Sequence, residues 1–291
     1  MAIVRWAVAA WLACVVTTAV CAAATQPESL LEQRYAQERQ LEHAPFVILP
    51  HKPNYILLGS YNTRPNQAPW QGFGYGAKPV QHSEIKFQLS IKIPLMHDLF
   101  RSGDGLYAAY TQKTFWQAYN KRISSPFRDT NYNPELFYRT PFSAQISALS
   151  LHALAVGFEH ESNGRADPLS RSWNRIYGVA SSSVGDINLM LKLWWRIPEP
   201  AAKDNNPDIL NYLGNSELYG YYKRDGHTFG VMFRPAWRGG FKSAVQLDWS
   251  FPLFGNVQGY VQWFNGYGES LIDYNHYNNT IGIGVMLNNW L

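Results

Sequence analysis

Glu84-Ile85-Lys86-Phe87-Gln88-Leu89-Ser90-Ile91-Lys92-Ile93 alternates without a break. On an extended chain Ile85, Phe87, Leu89, Ile91 and Ile93 fall on one face, and Glu84, Lys86, Gln88, Ser90 and Lys92 on the other. The stretch is therefore a strand with one greasy side and one wet side. A typical globular strand has roughly 5–6 residues, whereas crossing a bilayer at a tilt takes roughly 9–11. Three more stretches repeat the pattern. Ile187, Leu189, Leu191, Leu193, Trp195 and Ile197 share a face, as do Val245, Leu247, Trp249, Phe251 and Leu253, and Ile281, Ile283, Val285 and Leu287. Lysines and glutamates on the alternate positions suit a hydrated or hydrogen-bonded lumen, and Trp194, Trp195, Tyr221, Tyr222, Trp263 and Phe264 are candidates for interfacial aromatic girdles. A soluble β-sandwich also alternates, but a second sheet covers its apolar face.

Extending the pattern outward predicts strands over 54–61, 84–93, 105–116, 135–140, 152–162, 172–183, 186–197, 217–224, 227–234, 243–253, 257–265 and 280–290. The fold expected is a twelve-stranded antiparallel transmembrane β-barrel of the bacterial outer membrane, all-β, spanning 51–291. Twelve is an even number, as single-chain bacterial barrels require. Val184-Gly185 and Asp225-Gly226 read as tight turns, the second an Asp-Gly hairpin signal. The stretches 117–134, 163–171, 198–216 and 266–279 are longer and rich in Pro, Asn, Asp and Gly. Short turns at one end and long loops at the other are the pattern of an outer-membrane barrel.

Composition agrees. Of 291 residues 15% are aromatic and only 16% charged, against roughly 25% charged in an ordinary soluble domain. Mean hydropathy is −0.28, too polar for a helical membrane protein, and no stretch after the leader approaches the length of a spanning helix. A net charge of +4 is too mild to argue for nucleic acid. Residues 1–24 read as a secretory signal peptide. Arg5 precedes an apolar run from Trp6 to Val20, and Ala22, Ala23 and Ala24 offer a cleavage site. A lipoprotein signal is the alternative, because Cys21 lies near the end, although Val20 before it is bulkier than the usual small residue. Cys14 and Cys21 are the only cysteines, so removing the leader leaves no disulfide, thiolate metal site or cysteine nucleophile. Residues 25–50 read as a polar lead-in with a short helix around Leu30 to Leu41.

One hairpin carries chemistry. His160 and Ser162 are two apart, so they share a strand face, with Cα atoms about 6.6 Å apart. Leu154, Val156 and Phe158 lie on that face. The pair therefore stands on the greasy side, where polar groups are costly, an arrangement that makes sense if the substrate is a lipid. If His160 pairs with Asn174 on the returning strand, Phe158 pairs with Ile176 and Ser162 with Ser172. Directly paired residues share a face at roughly 4.5–5.5 Å. Asn174 could then hold one ring nitrogen of His160, leaving the other to take the Ser162 proton. A neutral amide does this beside lipid at a smaller desolvation cost than a carboxylate. Glu159 and Glu161 read as lumen-facing partners of arginines. Arg165, Arg171 and Arg175 either pair with them or bind lipopolysaccharide phosphates. Asn163-Gly164 is an ordinary turn signal.

These residues resemble a family. Gly157-Phe-Glu-His-Glu-Ser-Asn-Gly-Arg165 followed by Ser170-Arg-Ser-Trp-Asn174 is similar to bacterial outer membrane phospholipase A. So are Tyr110-Thr-Gln-Lys113, Ser124-Ser-Pro-Phe-Arg128, Asn131-Tyr-x-Pro-Glu135 and Gly284-Val-Met-Leu-Asn288. The chain departs from it at its end, where Leu291 follows Trp290 and such barrels usually finish in phenylalanine. The resemblance implies calcium-dependent hydrolysis of phospholipid and lysophospholipid acyl esters, at both acyl positions, by a dimer. It implies Ser162 as nucleophile, His160 as base and Asn174 as orienter, with the Gly164 N–H at the oxyanion. Calcium (Ca2+) would be held by the Ser170 hydroxyl, the Arg165 carbonyl and the Ser124 carbonyl of a second copy. Gln112 matches an interface glutamine of the family, and the active site would face the outer leaflet. The competing readings are a passive channel on the same barrel, against which twelve strands make a narrow lumen, and a structural or adhesion barrel.

Overall fold

Twelve strands, each antiparallel to its neighbours in the chain, close on themselves where the last pairs with the first. The structure, a computed structural model, describes residues 29–44, 46–74 and 76–288. The expected signal peptide, the Cys21 alternative and the Trp290-Leu291 terminus lie outside the described residues. The strands are β1 (Asn54–Asn62), β2 (Ser83–His97), β3 (Gly105–Trp116), β4 (Phe127–Ile146), β5 (Leu149–Ser162) and β6 (Ser172–Val184). They continue with β7 (Ile187–Arg196), β8 (Ser216–Arg224), β9 (His227–Ala236), β10 (Lys242–Phe254), β11 (Val257–Tyr267) and β12 (Tyr277–Asn288). A two-residue bridge, Leu49–Pro50, adds to β2 beyond the end of β1. The connections alternate: 98–104, 147–148, 185–186, 225–226 and 255–256 at one end, and 63–82, 117–126, 163–171, 197–215, 237–241 and 268–276 at the other.

The greasy faces point outward. Leu193, Trp195 and Ile283 are 52%, 57% and 60% exposed, and so large an apolar belt on a barrel is stable only against lipid. No helix among the described residues is long and apolar enough to cross a membrane. The inward positions are polar and buried, and they are paired across the lumen. Lys86 meets Glu269 at 2.9 Å and Arg234 meets Glu217 at 2.8 Å. Arg128 forks onto Glu84 and also reaches Asp273. A polar cavity remains between these pairs, lined among others by Lys113, Glu217 and Asp248.

Two expectations are corrected by that lumen. The fourth strand, read from sequence as 135–140, runs from Phe127 to Ile146, and the outer loop before it shrinks from 117–134 to 117–126. Arg128, Asp129, Asn131 and Asn133 look like loop residues, yet all four are buried, because the inside of this barrel is where polar side chains go. The girdle candidates split as well. Neighbours in a strand face opposite ways, so Trp195 points out while Trp194, Tyr221 and Phe264 are buried inside.

The lead-in forms α1 (Leu30–Glu42), started by a capping box in which Ser29 accepts from the Glu32 N–H and Glu32 accepts from the Ser29 N–H. It enters the barrel at the short-turn end. Glu38 meets Lys92 at 2.8 Å and Arg139 at 2.6 Å, and the Tyr35 hydroxyl donates to Ser181. At the long-loop end a four-residue turn of helix, α2 (Leu210–Leu213), packs with Ile209, Leu271, Tyr274, Trp173 and Trp194. The barrel is thus stoppered from both ends.

Candidate active site

The β5–β6 hairpin has the register expected from its sequence. His160 pairs with Asn174, Phe158 with Ile176 and Ser162 with Ser172. All six face outward, and Val156, Phe158 and Ile176 on the same surface are 54%, 43% and 46% exposed. His160 Nδ1 lies 2.9 Å from Asn174 Oδ1. An amide oxygen only accepts, so Nδ1 carries the proton and Nε2 presents its lone pair. Ser162 stands one outward position further along the strand. No hydrogen bond joins its hydroxyl to His160 among the described residues.

The opposite face of the hairpin holds it rigid. Glu159 is completely buried between Arg175 (3.0 Å) and Lys192 (2.8 Å). Glu161 takes Arg175 at 2.8 Å and the Trp173 indole N–H at 3.0 Å. Both glutamates are therefore lumen partners of cations. Of the three arginines only Arg175 joins them. Arg165 donates to the Phe127 and Arg128 carbonyls, and Arg171 to the Pro168 and Ser170 carbonyls.

Past Ser162 the chain turns through Gly164, whose φ of +62° suits glycine. Sequence alone made Asn163 a turn residue; the structure makes it the clamp of the whole loop. Its buried side chain accepts from the Arg171 N–H at 2.9 Å and donates to the Leu169 carbonyl at 2.8 Å. That leaves the Gly164 N–H without a hydrogen-bond partner among the described residues. The outer loops reinforce one another. Burial, then a hydrogen bond to Asp208, pushes the Tyr274 hydroxyl above its ordinary pKa, so it stays a donor beneath the Arg171 guanidinium.

The oxygens implied for calcium fall on two loops. The Ser170 hydroxyl and the Arg165 carbonyl are on 163–171, and neither is used by a hydrogen bond among the described residues. Ser124 ends the turn Lys121–Ile123 on the 117–126 loop with φ +61°, its carbonyl likewise unused. No hydrogen bond links Ser124 to the other two. These are hard neutral oxygens of the kind calcium takes, but one chain offers too few for its usual shell of about 6–8, and no cluster of three or more acidic, His or Cys side chains suited to a metal occurs among the described residues.

Gln112 sits on the outer face in the same ladder row as Ser162. The row reads Leu89, Gln112, Tyr132, Ser162, Ser172 across five strands. Its amide accepts from the Tyr110 hydroxyl at 3.1 Å and donates to Thr114 at 3.2 Å. A stripe of polar groups thus crosses a lipid-facing surface from β3 to β6.

Comparison with known proteins identifies relatives. The phospholipase A1 family model matches residues 31–287. The phospholipase A1 of Klebsiella pneumoniae is 36% identical over 84% of this chain and 83% of its own length. Among solved structures, the outer membrane phospholipase A of Escherichia coli superposes with a TM-score of 0.82 at 35% identity, covering 88% of this chain and 98% of that one. The Salmonella typhi outer membrane phospholipase, a dimer with bound calcium, gives 0.79 at 35% identity over 85% and 94% of the two chains.

Proposed function

The chain belongs to the phospholipase A1 family of the bacterial outer membrane, and from that premise we propose that Ser162, His160 and Asn174 cut the acyl esters of phospholipids lying against the barrel wall. The observation that carries the reading is the His160–Asn174 hydrogen bond beside the exposed apolar side chains of Val156, Phe158 and Ile176. His160 Nε2 takes the Ser162 proton as Oγ attacks the ester carbonyl. The oxyanion forms beside the free Gly164 N–H, and collapse expels the lysolipid alkoxide, which recovers the proton from His160. Water then releases the fatty acid by the same route. Asn174 holds the ring in one tautomer through both half-reactions.

The Ser170 hydroxyl and Arg165 carbonyl of one chain, with the Ser124 carbonyl of a second, would hold calcium. When bound, the ion adds positive charge near the developing oxyanion. A lipase always facing its own membrane needs a gate, and splitting the ion's ligands between two chains supplies one. The Gln112 amide belongs at the dimer interface, beside the site and facing the outer leaflet. Calcium that needs two chains must favour the dimer by linkage.

The test is hydrolysis of phospholipid in mixed micelles across a calcium series, with analytical ultracentrifugation of the same samples and sulfonyl fluoride labelling. Activity and dimer fraction should rise together, and Ser162 should carry the label. A fully active monomer, full activity in excess chelator, or label on another serine would overturn the reading.

A further inference from the structure

Asn174 poses a problem that an aspartate would not. A carboxylate presents an oxygen to His160 whichever way it turns. An amide turned by 180° presents Nδ2–H instead, and that selects the wrong tautomer of the ring. Something must choose between the two orientations. The group behind Asn174 is Glu199, whose Oε1 accepts from Asn174 Nδ2 at 3.4 Å. An ionised carboxylate only accepts, so it is compatible with one orientation alone, the one that points Oδ1 at His160.

The chain around Glu199 is built to keep it there. The Ile197 N–H donates to the Asn174 carbonyl at 2.9 Å, tying the loop to the very residue it serves. Glu199 then lies between Pro198 and Pro200. Each proline fixes its own φ, and Pro200 also restricts the backbone of Glu199 to extended conformations. Beyond it the Pro200 carbonyl accepts from the Lys203 and Asp204 N–H groups. Asp204 is held by Arg196 at 2.6 Å, and the buried Asn206 accepts from the Ser172 N–H at 3.1 Å. The loop is therefore pinned to β6 on both sides of Glu199, at Asn174 and at Ser172.

We propose that Glu199 is a positioning residue that fixes the Asn174 amide, and through it the His160 tautomer, making the site a four-membered Ser162–His160–Asn174–Glu199 chain. The proposal rests on the catalytic assignment above. It concerns orientation: what Glu199 must supply is a group that accepts and cannot donate.

Steady-state hydrolysis of phospholipid micelles by the full chain, with calcium, tests it on Glu199→Ala, Glu199→Gln, Asn174→Ala and the Glu199→Ala/Asn174→Ala pair, with gel heat-modifiability reporting folding. Glu199→Ala should lose roughly tenfold in kcat, the scale of one hydrogen bond to a charged group, with KM unchanged. Glu199→Gln, whose amide accepts one way round and donates the other, no longer selects a single orientation and should recover only part of that loss. With Asn174 already removed, Glu199→Ala should cost little more, because it acts through the amide. An unchanged kcat in Glu199→Ala, wild-type kcat in Glu199→Gln, or additive losses in the pair would overturn the proposal. Ser162→Ala run alongside separates the two ideas. If it stays active the catalytic assignment fails, whereas if it is dead and the Glu199 variants are normal only this inference fails.

Discussion

The two faces of the β5–β6 hairpin are made of alternate residues of the same strands, yet they solve opposite problems. Inside, Glu159, Glu161, Arg175 and Lys192 are charged, buried and paired. Outside, His160, Ser162 and Asn174 are polar groups among side chains that meet lipid. Ions can be kept in the lumen because each has an opposite charge within 3.0 Å; the same ions against hydrocarbon would have neither water nor partner. The inner face is thus the frame and the outer face carries the proposed reagent, and the one carboxylate that reaches it, Glu199, comes from the 197–215 loop and not from the wall.

The division predicts that activity and stability separate by face. The largest effect belongs outside: Ser162→Ala or His160→Ala should lower hydrolysis roughly 10³-fold or more and leave the unfolding transition where it is. Next comes the inside. Glu159→Ala leaves Arg175 to Glu161 alone and strands Lys192 in a buried site, which should cost roughly 3–5 kcal/mol of stability, read by urea unfolding in vesicles. The fraction that remains folded should hydrolyse lipid at close to the normal rate. A Glu159→Ala protein as stable as wild type but inactive would break the comparison, because it would put the inner carboxylate in the chemistry.

The same division decides what could be read from the sequence. Alternation located the strands at 84–93 and 186–197, and the matched characters of Phe158 with Ile176 and Ser162 with Ser172 pointed to the His160–Asn174 register, because on those strands one face is apolar. It failed over 127–134, where Arg128, Asp129, Asn131 and Asn133 are strand residues whose polarity belongs to the lumen. Consecutive aromatics such as Trp194 and Trp195 hide their facing for the same reason: composition does not say which side a residue is on. Ser162, His160 and Asn174 were legible because two residues and one hairpin bring them together. Glu199 was not, since its place behind Asn174 depends on a loop anchored by backbone hydrogen bonds to β6. Asn163 carried a signal, but one shared by any Asn-Gly turn.

Asn174→Ala sharpens the comparison from the outer side. It removes an orienting partner and no reacting atom, so a histidine that turns freely still meets Ser162 part of the time. The loss should be roughly 10- to 100-fold, the scale of removing a group that holds a histidine in place, with stability unchanged. A protein as dead as Ser162→Ala would mean the amide does more than orient.

The smallest effect sits where the two faces meet, at Gly164. Alanine there keeps the backbone N–H but must adopt a φ of +62°, which costs an L-residue roughly 1–2 kcal/mol. Its Cβ would stand 3.0 Å from the Tyr132 ring. That ring is on the outer surface, where it can give by a few tenths of an ångström, so the strain falls on the loop and not on the lumen. Removing an oxyanion donor outright costs about 10²–10³ in rate, whereas Gly164→Ala only tilts one, and its loss should stay within about tenfold. Stability should fall by about 1 kcal/mol, far less than for Glu159→Ala, because no buried charge is orphaned. Turnover and urea unfolding on the one variant decide the matter. A rate loss as deep as that of Ser162→Ala would make Gly164 part of the reacting group itself. A stability loss matching Glu159→Ala would show that the loop clamped by Asn163 is continuous with the inner frame, and the hairpin would then divide along its length and not between its faces.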